Sequence, residues 1–445
     1  MRKIVTLGLI LFLTVFYGCK KEDETGDEED NLPKLEATIT GPSQGSIGIE
    51  YQFQISSNLA YIYPYIIDWG DGSEYTTYYV GYNIPLKHKW TKTGTFAIRA
   101  KSLNYSWSDP FYINITNNPV FYKVFPQELT WGSVNNVKEL PDGSFLVIGC
   151  YSDYDTIKYF LSKTDNTGNI QWTKFYYFSE YCITRFTGEN EIMFMTKDLT
   201  SFLKIDFNGD SLISVNIPDA NYDIFDFTPS RDGNILVCGR TYYYGHYIGI
   251  IAKISLQGNT IWVKGIGFEP IFRLLEEDNG EIIAASGTTL FKFNESGDTL
   301  WARTINDISG STPSPIFKLS NRYFLGVRVP SRKILLIKTD FDGNLVSSDS
   351  VKNAELEELI SAIQTSDNNF IFYGWTSRYG IFGTVIKTDV QGNLIWKQIY
   401  DSNSELQSIS SLIETADYGL AITGSKGYNV TRPVFAKTDV NGFLP

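Results

Sequence analysis

One ten-residue phrase returns along the whole length of this chain. Lys387 to Trp396 reads KTDVQGNLIW, Lys163 to Trp172 reads KTDNTGNIQW, Lys253 to Trp262 reads KISLQGNTIW and Lys292 to Trp301 reads KFNESGDTLW. Looser copies begin at Lys204 (KIDFNGDSLI) and Lys338 (KTDFDGNLVS), and a truncated one at Lys437 (KTDVNGFLP). Their glycines are Gly168, Gly209, Gly258, Gly297, Gly343, Gly392 and Gly442, so the unit recurs about every 40 to 50 residues. Self-similarity at such a period constrains the fold to a propeller, a solenoid or an array, because each unit buries its apolar face only against its neighbours.

The local chemistry chooses among these. Each phrase follows a short apolar run, such as Phe382 to Ile386, and precedes an alternating one, such as Leu394 to Ile399. Asp-x-x-Gly-Asn between two such runs predicts a tight hairpin in which the Asp side chain caps the turn and the Gly takes a left-handed conformation. A second turn signal lies upstream: Pro141-Asp142-Gly143, Arg231-Asp232-Gly233, Asp278-Asn279-Gly280, Asp367-Asn368-Asn369 and Asp417-Tyr418-Gly419. An apolar strand with a small residue near its end follows, as in Phe145 to Gly149 and Leu420 to Gly424. No helical period appears, and four strands per unit predict a propeller blade. Seven units fit between Val120 and Pro445, the last lacking its outer strand. Val120 to Phe125 is a strand with no blade before it, and it is expected to complete the last blade by pairing around Val434 to Lys437, hiding both edges of the ring.

The start of the chain differs in kind. Arg2 and Lys3 precede an apolar stretch, Ile4 to Tyr17, too short to span a membrane, and Gly18-Cys19 ends it. A small residue directly before Cys resembles the bacterial lipoprotein box, which implies that residues 1–18 are a signal peptide and that Cys19 carries lipid. An ordinary secretory signal is the other reading of this segment. Lys20 to Asp30, KKEDETGDEED, has no apolar residue, so 19–34 reads as a solvated tether. A Lys-then-acidic run after the Cys also resembles the surface-export signal of Bacteroidetes lipoproteins, which implies an outer-membrane, cell-surface address.

Residues 35–116 form a separate unit. Ile67-Asp68-Trp69-Gly70-Asp71-Gly72-Ser73 is followed by His88-Lys89-Trp90 and by Gly94-Thr95-Phe96-Ala97-Ile98. This pattern resembles the PKD domain over the whole segment, with Trp90 where Tyr is usual, and implies an immunoglobulin-like β-sandwich. Period-2 alternation places Ile67 and Trp69 toward a core between two sheets and Asp68 away from it. Asp68 and Asp71 read as turn caps before they read as calcium ligands, and the same holds for Asp165 and Asp340 in the repeats, which lack the alternating oxygen ligands of a calcium loop. The Gly-x-x-x-Trp tail at Trp172, Trp262, Trp301 and Trp396 resembles the docking motif of quinoprotein dehydrogenase propellers, which implies rings packed between blades and a structural role.

Composition narrows the function. The formal charge is −12 over 445 residues, which argues against nucleic acid as a partner. The only histidines are His88 and His246, so neither a histidine metal cluster nor a Ser-His-Asp triad is expected, and no cofactor or metal is implied. Beyond Cys19, Cys150, Cys182 and Cys238 sit in or beside strands and read as buried thiols, with one disulfide plus a free thiol as the alternative. In a four-stranded meander both tight turns fall on one end, so the longer loops and the links between blades share the other. That end is rich in Tyr and Arg: Tyr151 and Tyr154; Tyr176 and Tyr177; Tyr242, Tyr243, Tyr244 and Tyr247; Arg378 and Tyr379; Tyr428 and Arg432. Tyr offers large contact area at low entropy cost together with a polar tip. The expected ligand face is therefore Tyr154, Tyr177, Tyr243, Tyr247, Arg378, Tyr379 and Tyr428. The expectation is an all-β, non-catalytic binding lipoprotein that recognises an extracellular glycan or protein, with the sandwich as spacer. The alternatives are a polysaccharide hydrolase or lyase and a scaffold in an outer-membrane assembly.

Overall fold

The computed structural model describes residues 32–57, 64–79, 86–125, 132–153, 156–217, 222–287, 289–305, 313–329, 331, 333–377, 381–400, 406–427 and 431–445. Every regular element among them is a β-strand. Two compact units emerge: one made of Met1–Gly41, Gln52–Leu86 and Phe96–Tyr112, the other of Pro42–Tyr51, Lys87–Thr95 and Ile113–Pro445.

In the smaller unit, Ala37–Thr40 pairs antiparallel with residues 54–57. Tyr65–Asp68 pairs antiparallel with Thr76–Tyr78 on one side and with residues 99–102 on the other. Phe53 joins these layers, its ring 5.6 Å from Trp69 and 6.1 Å from Phe111. Ile67 and Trp69 are fully buried as the alternation demands. The aspartates act as turn caps: Asp68 accepts from the Gly70 amide at 2.9 Å and Asp71 from the Ser73 amide at 3.0 Å.

The larger unit contains, among the described residues, seven four-stranded antiparallel sheets in chain order. They occupy residues 132–178, 182–216, 222–265, 271–304, 317–355, 358–400, and 408–437 together with Phe121–Val124. The last set carries the predicted closure. Phe121–Val124 is the fourth strand of the seventh sheet, with Val124 opposite Val434 and Phe121 opposite Lys437. Each sheet turns its two faces to its two neighbours, so a separate apolar core lies between every consecutive pair. Leu146, Ile148 and Tyr159 of the first sheet pack with Ile192 and Phe194 of the second. The series then closes: Phe435, Ala421 and Phe121 of the seventh sheet pack with Val134, Val147 and Phe160 of the first. This closed series of twisted four-stranded sheets is consistent with a propeller.

The repeated phrase is explained residue by residue. Its Asp caps the turn: Asp389 Oδ1 accepts from the Gln391 and Asn393 amides at 2.9 and 2.8 Å, and Asp165 and Asp340 do the same in their own copies. Its Gly is required twice over. Gly343 has φ +79°, and a Cβ there would lie 2.5 Å from Trp301 of the preceding sheet. The same contact recurs between Gly297 and Trp262, Gly258 and Val215, and Gly168 and Phe121 of the closing strand. Trp262, Trp301 and Trp396 thus cover the turn of the next sheet, whereas at Gly209 the nearest side chains are Tyr176 and Lys174. Its Lys reaches back to the upstream turn of the same sheet: Lys253 to Asp232 at 2.7 Å, Lys387 to Asp367 at 2.8 Å and Lys437 to Asp417 at 2.5 Å. Lys253 and Lys437 are buried and Lys387 largely so, and the paired carboxylate is what makes their burial tolerable.

A second set of glycines answers to bulges. The first strands bulge between Val134 and Asn136, Ile224 and Asp226, Leu359 and Ser361, and Ile409 and Ser411. Each bulge presses a carbonyl onto the facing strand, so a Cβ at Gly239, Gly374 or Gly424 would lie within 1.9 Å of it. The bulges also aim polar side chains at the neighbouring sheet. Asn136 Nδ2 donates to the Thr184 carbonyl at 3.1 Å, and Asp226 accepts from Arg185 and from the Leu274 amide. Cys150, Cys182 and Cys238 are buried free thiols, and burial pushes the Cys238 thiol well above its usual range.

Inside the larger unit the seventh copy of the phrase differs from the exposed ones. Its Asp439 is buried and accepts from the Tyr51 hydroxyl at 2.6 Å, and the Tyr51 ring meets Phe443 edge-on at 5.6 Å. Burial raises the Asp439 carboxyl above its ordinary value, and the hydrogen bonds it accepts only partly offset this.

Candidate ligand-binding face

Because every sheet is an antiparallel meander, the hairpins joining second to third strands share one end with the links between sheets. The other end holds the Asp-Gly turns, whose side chains are spent on their own backbone. A small pocket at that end is lined by Glu191, Lys204, Gly233 and Leu256 among others, and its Lys204 and Glu191 are already paired at 2.7 Å.

Of the sequence-predicted face, Tyr177, Tyr243 and Tyr247 are described, and all three are exposed on the hairpin end. Tyr154, Arg378, Tyr379 and Tyr428 lie outside the described residues, as does Cys19 with its signal and most of the tether. The three described tyrosines fall into two patches, on the first and third sheets, with the second sheet between them.

The patch on the third sheet is the more elaborate. Ile235–Tyr243 and His246–Ile254 form a hairpin closed by Tyr244 and Gly245, both at positive φ (+44° and +88°). A two-residue turn of this kind matches the strand twist and fixes the register. Tyr243 stands opposite His246, Tyr242 opposite Tyr247 and Arg240 opposite Gly249. Since side chains alternate, Arg240, Tyr242 and Tyr247 share one sheet face, and Tyr243 goes to the other. The structure therefore separates Tyr243 from Tyr247 and groups Tyr247 with two residues of the facing strand. Tyr242 and Tyr247 meet edge-on at 5.2 Å. The Arg240 guanidinium lies 4.1 Å from the Tyr247 ring centroid and 5.7 Å from that of Phe225, and its Nε donates to Asp223 at 2.8 Å. Phe225 in turn packs 5.2 Å from Phe272 of the fourth sheet. At the tip His246 faces the exposed Phe268 ring at 6.0 Å.

The first-sheet patch is a cross-strand row. Tyr151, Lys158 and Tyr177 stand side by side on three adjacent strands. The Lys158 ammonium lies 5.6 Å from the Tyr151 centroid and 5.9 Å from that of Tyr177, so a cation is held between two rings. Phe175 continues the row, 6.3 Å from Tyr151. Tyr176, one position away, turns inward and donates from its hydroxyl to the Gly209 carbonyl at 2.8 Å. Arg240, Lys158, Asp223, Phe225 and Phe272 were not singled out from the sequence. The strand pairing alone brings them to the aromatic rows.

The fold and this face together define a class: a repeat protein whose described residues form successive four-stranded antiparallel sheets with aromatic rows at the hairpin end. No protein-family profile matches the chain, and no curated protein does. Among solved structures, it is similar to a protein of unknown function from Bacteroides caccae, at 13% identity and a TM-score of 0.40, over 62% of this chain and 96% of that one. It is also similar to the structure titled "YCF48 bound to D1 peptide", at 12% identity and a TM-score of 0.46, over 72% of this chain and 96% of that one.

Proposed function

We propose that this is a non-catalytic, lipid-anchored cell-surface protein that binds an extracellular glycan or protein through the hairpin end of a seven-bladed propeller, residues 120–445. Residues 35–116 are a PKD-type sandwich that serves as spacer, residues 19–34 a tether, and Cys19 the lipid site, on the outer membrane and facing outward. The observation that carries the reading is the presentation of aromatic rings in fixed cross-strand rows at one end: exposed Tyr242 with Tyr247, and half-buried Tyr151 with exposed Tyr177 around Lys158. Rings pre-set by a hydrogen-bonded register lose little freedom on binding, while the opposite end spends its polar side chains on its own turns. Asp223, a carboxylate beside the rings, is engaged by Arg240, which suits binding better than acid–base work.

The test is a screen of the full chain against glycans and extracellular proteins, followed by Tyr177→Ala/Tyr247→Ala. Each well-stacked ring is expected to contribute about 1 kcal/mol, about fivefold in affinity. The double variant should therefore lose about 25-fold with an unchanged melting temperature. Binding that survives it, or that maps to the Asp-Gly turn end, overturns the proposed face. Turnover of a bound polysaccharide replaces binding with catalysis.

A further inference from the structure

The third-sheet patch carries more information about its ligand than exposure alone. Resting on the binding reading above, we infer that Tyr242, Tyr247, Arg240 and Asp223 form a subsite for a neutral sugar ring of an extracellular oligosaccharide. Three observations lead there. Tyr242 and Tyr247 are each about half exposed (58% and 46%), and a T-shaped contact at 5.2 Å plus a directly opposed register holds them in place. Flat, rigid, half-open rings suit the apolar C–H face of a pyranose.

The polar groups beside the rings are balanced. Arg240 spends its Nε on Asp223 and stacks on Tyr247, leaving further N–H donors in a fixed fork. Asp223 is itself half exposed and retains acceptor capacity. Donors and acceptors therefore sit side by side with no net charge. Each sugar hydroxyl both donates and accepts, so vicinal hydroxyls fit such a pair. A uronate, sulfate or phosphate would meet the Asp223 carboxylate and a chain of net charge −12. A lysine- or arginine-rich peptide would meet Arg240.

The surroundings supply walls. Phe225 lies against Arg240 from the first strand of the third sheet and is backed by Phe272 of the fourth. Tyr243 and Tyr244 pack on each other at 4.4 Å, and the strand alternation turns Tyr243 to the opposite face. Tyr244, the most exposed of the group, is therefore the internal control.

The experiment titrates the full chain with neutral oligosaccharides (from xylan, mannan and β-glucan), acidic ones (polygalacturonate, heparin) and a panel of extracellular proteins. The expected result is binding of a neutral oligosaccharide, weakened five- to tenfold by Tyr247→Ala and at least tenfold by Arg240→Gln. Tyr247→Phe keeps the ring and should lose twofold or less, and Tyr244→Ala should change nothing. Tyr247→Phe also guards against misfolding, since it preserves the packing of Arg240. Neutral-glycan binding that ignores Tyr247→Ala and Arg240→Gln but falls with Tyr177→Ala overturns the subsite and leaves the face standing. Binding confined to acidic glycans, or to a protein with no glycan bound, overturns the ligand class and leaves the face standing. Binding of nothing in all three sets overturns both.

Discussion

Replacing Gly343 with Ala separates the two reasons for the repeated glycine. At φ +79° an alanine adopts a left-handed conformation that costs about 1–2 kcal/mol. The stiffer unfolded chain returns about 0.4–1 kcal/mol of that, leaving about 1 kcal/mol. The new Cβ would also lie 2.5 and 2.7 Å from Trp301 Cζ3 and Cη2 and 2.8 Å from Arg303 Cγ, and overpacking of that kind adds about 1–3 kcal/mol. Gly343→Ala should thus lose about 2–4 kcal/mol. Gly233 has φ +81° and nothing within 4 Å of an added Cβ, so Gly233→Ala should lose only the backbone share, about 1 kcal/mol. Guanidinium unfolding followed by fluorescence measures both. Adding Trp301→Leu to Gly343→Ala should cost less than the sum of the two single changes, a coupling that a double-mutant cycle isolates. Equal losses at Gly343 and Gly233, or strict additivity, would show that the tryptophan does not cover the next turn.

Other consequences are as direct. Deleting residues 120–125 removes the fourth strand of the seventh sheet and two buried rings, Phe121 and Phe125; the chain should aggregate, and a soluble variant of unchanged stability would contradict the closure. The turn aspartates predict an acid limb. Burial nudges the Asp165 carboxyl upward, but hydrogen bonds from Asn169 and Thr167 outweigh it and hold it at about 2, against an ordinary 3.8. A depressed acid adds stability that is complete above pH 3.8 and is lost as pH falls toward 2. The melting temperature should therefore fall over that interval, less steeply in Asp165→Asn, and a flat profile would refute the capping role. Cys19→Ala should release the protein from membranes, as fractionation would show; retention of the variant would refute the lipid anchor.

The features legible in the sequence were those settled within a few residues. A tight turn needs its Asp and Gly locally, so the phrase announced its hairpins and the strand left over for closure. The role of Lys253 was not legible, because Asp232 lies on another turn and only the strand register brings the two together. The bulges beside Gly239 and Gly424 leave no mark except a small residue whose purpose depends on the facing strand. The candidate face was half legible. Tyrosines near the hairpin ends were easy to find, but their grouping follows from parity across the Tyr244–Gly245 turn. That parity sends Tyr243 and Tyr247 to opposite faces and recruits Arg240 from within a strand. Tyr176 and Tyr177 make the same point, one holding the next turn and the other facing solvent.

The proposed face grips ligand at the hairpin end and not at the turn end. Hydrogen–deuterium exchange on the full chain, with and without the oligosaccharide or protein drawn from the screen, tests it most directly. Protection at residues 240–248 and 174–178, with the turns at 165–169, 389–393 and 417–419 unchanged, is the predicted result. Protection confined to those turns would contradict it.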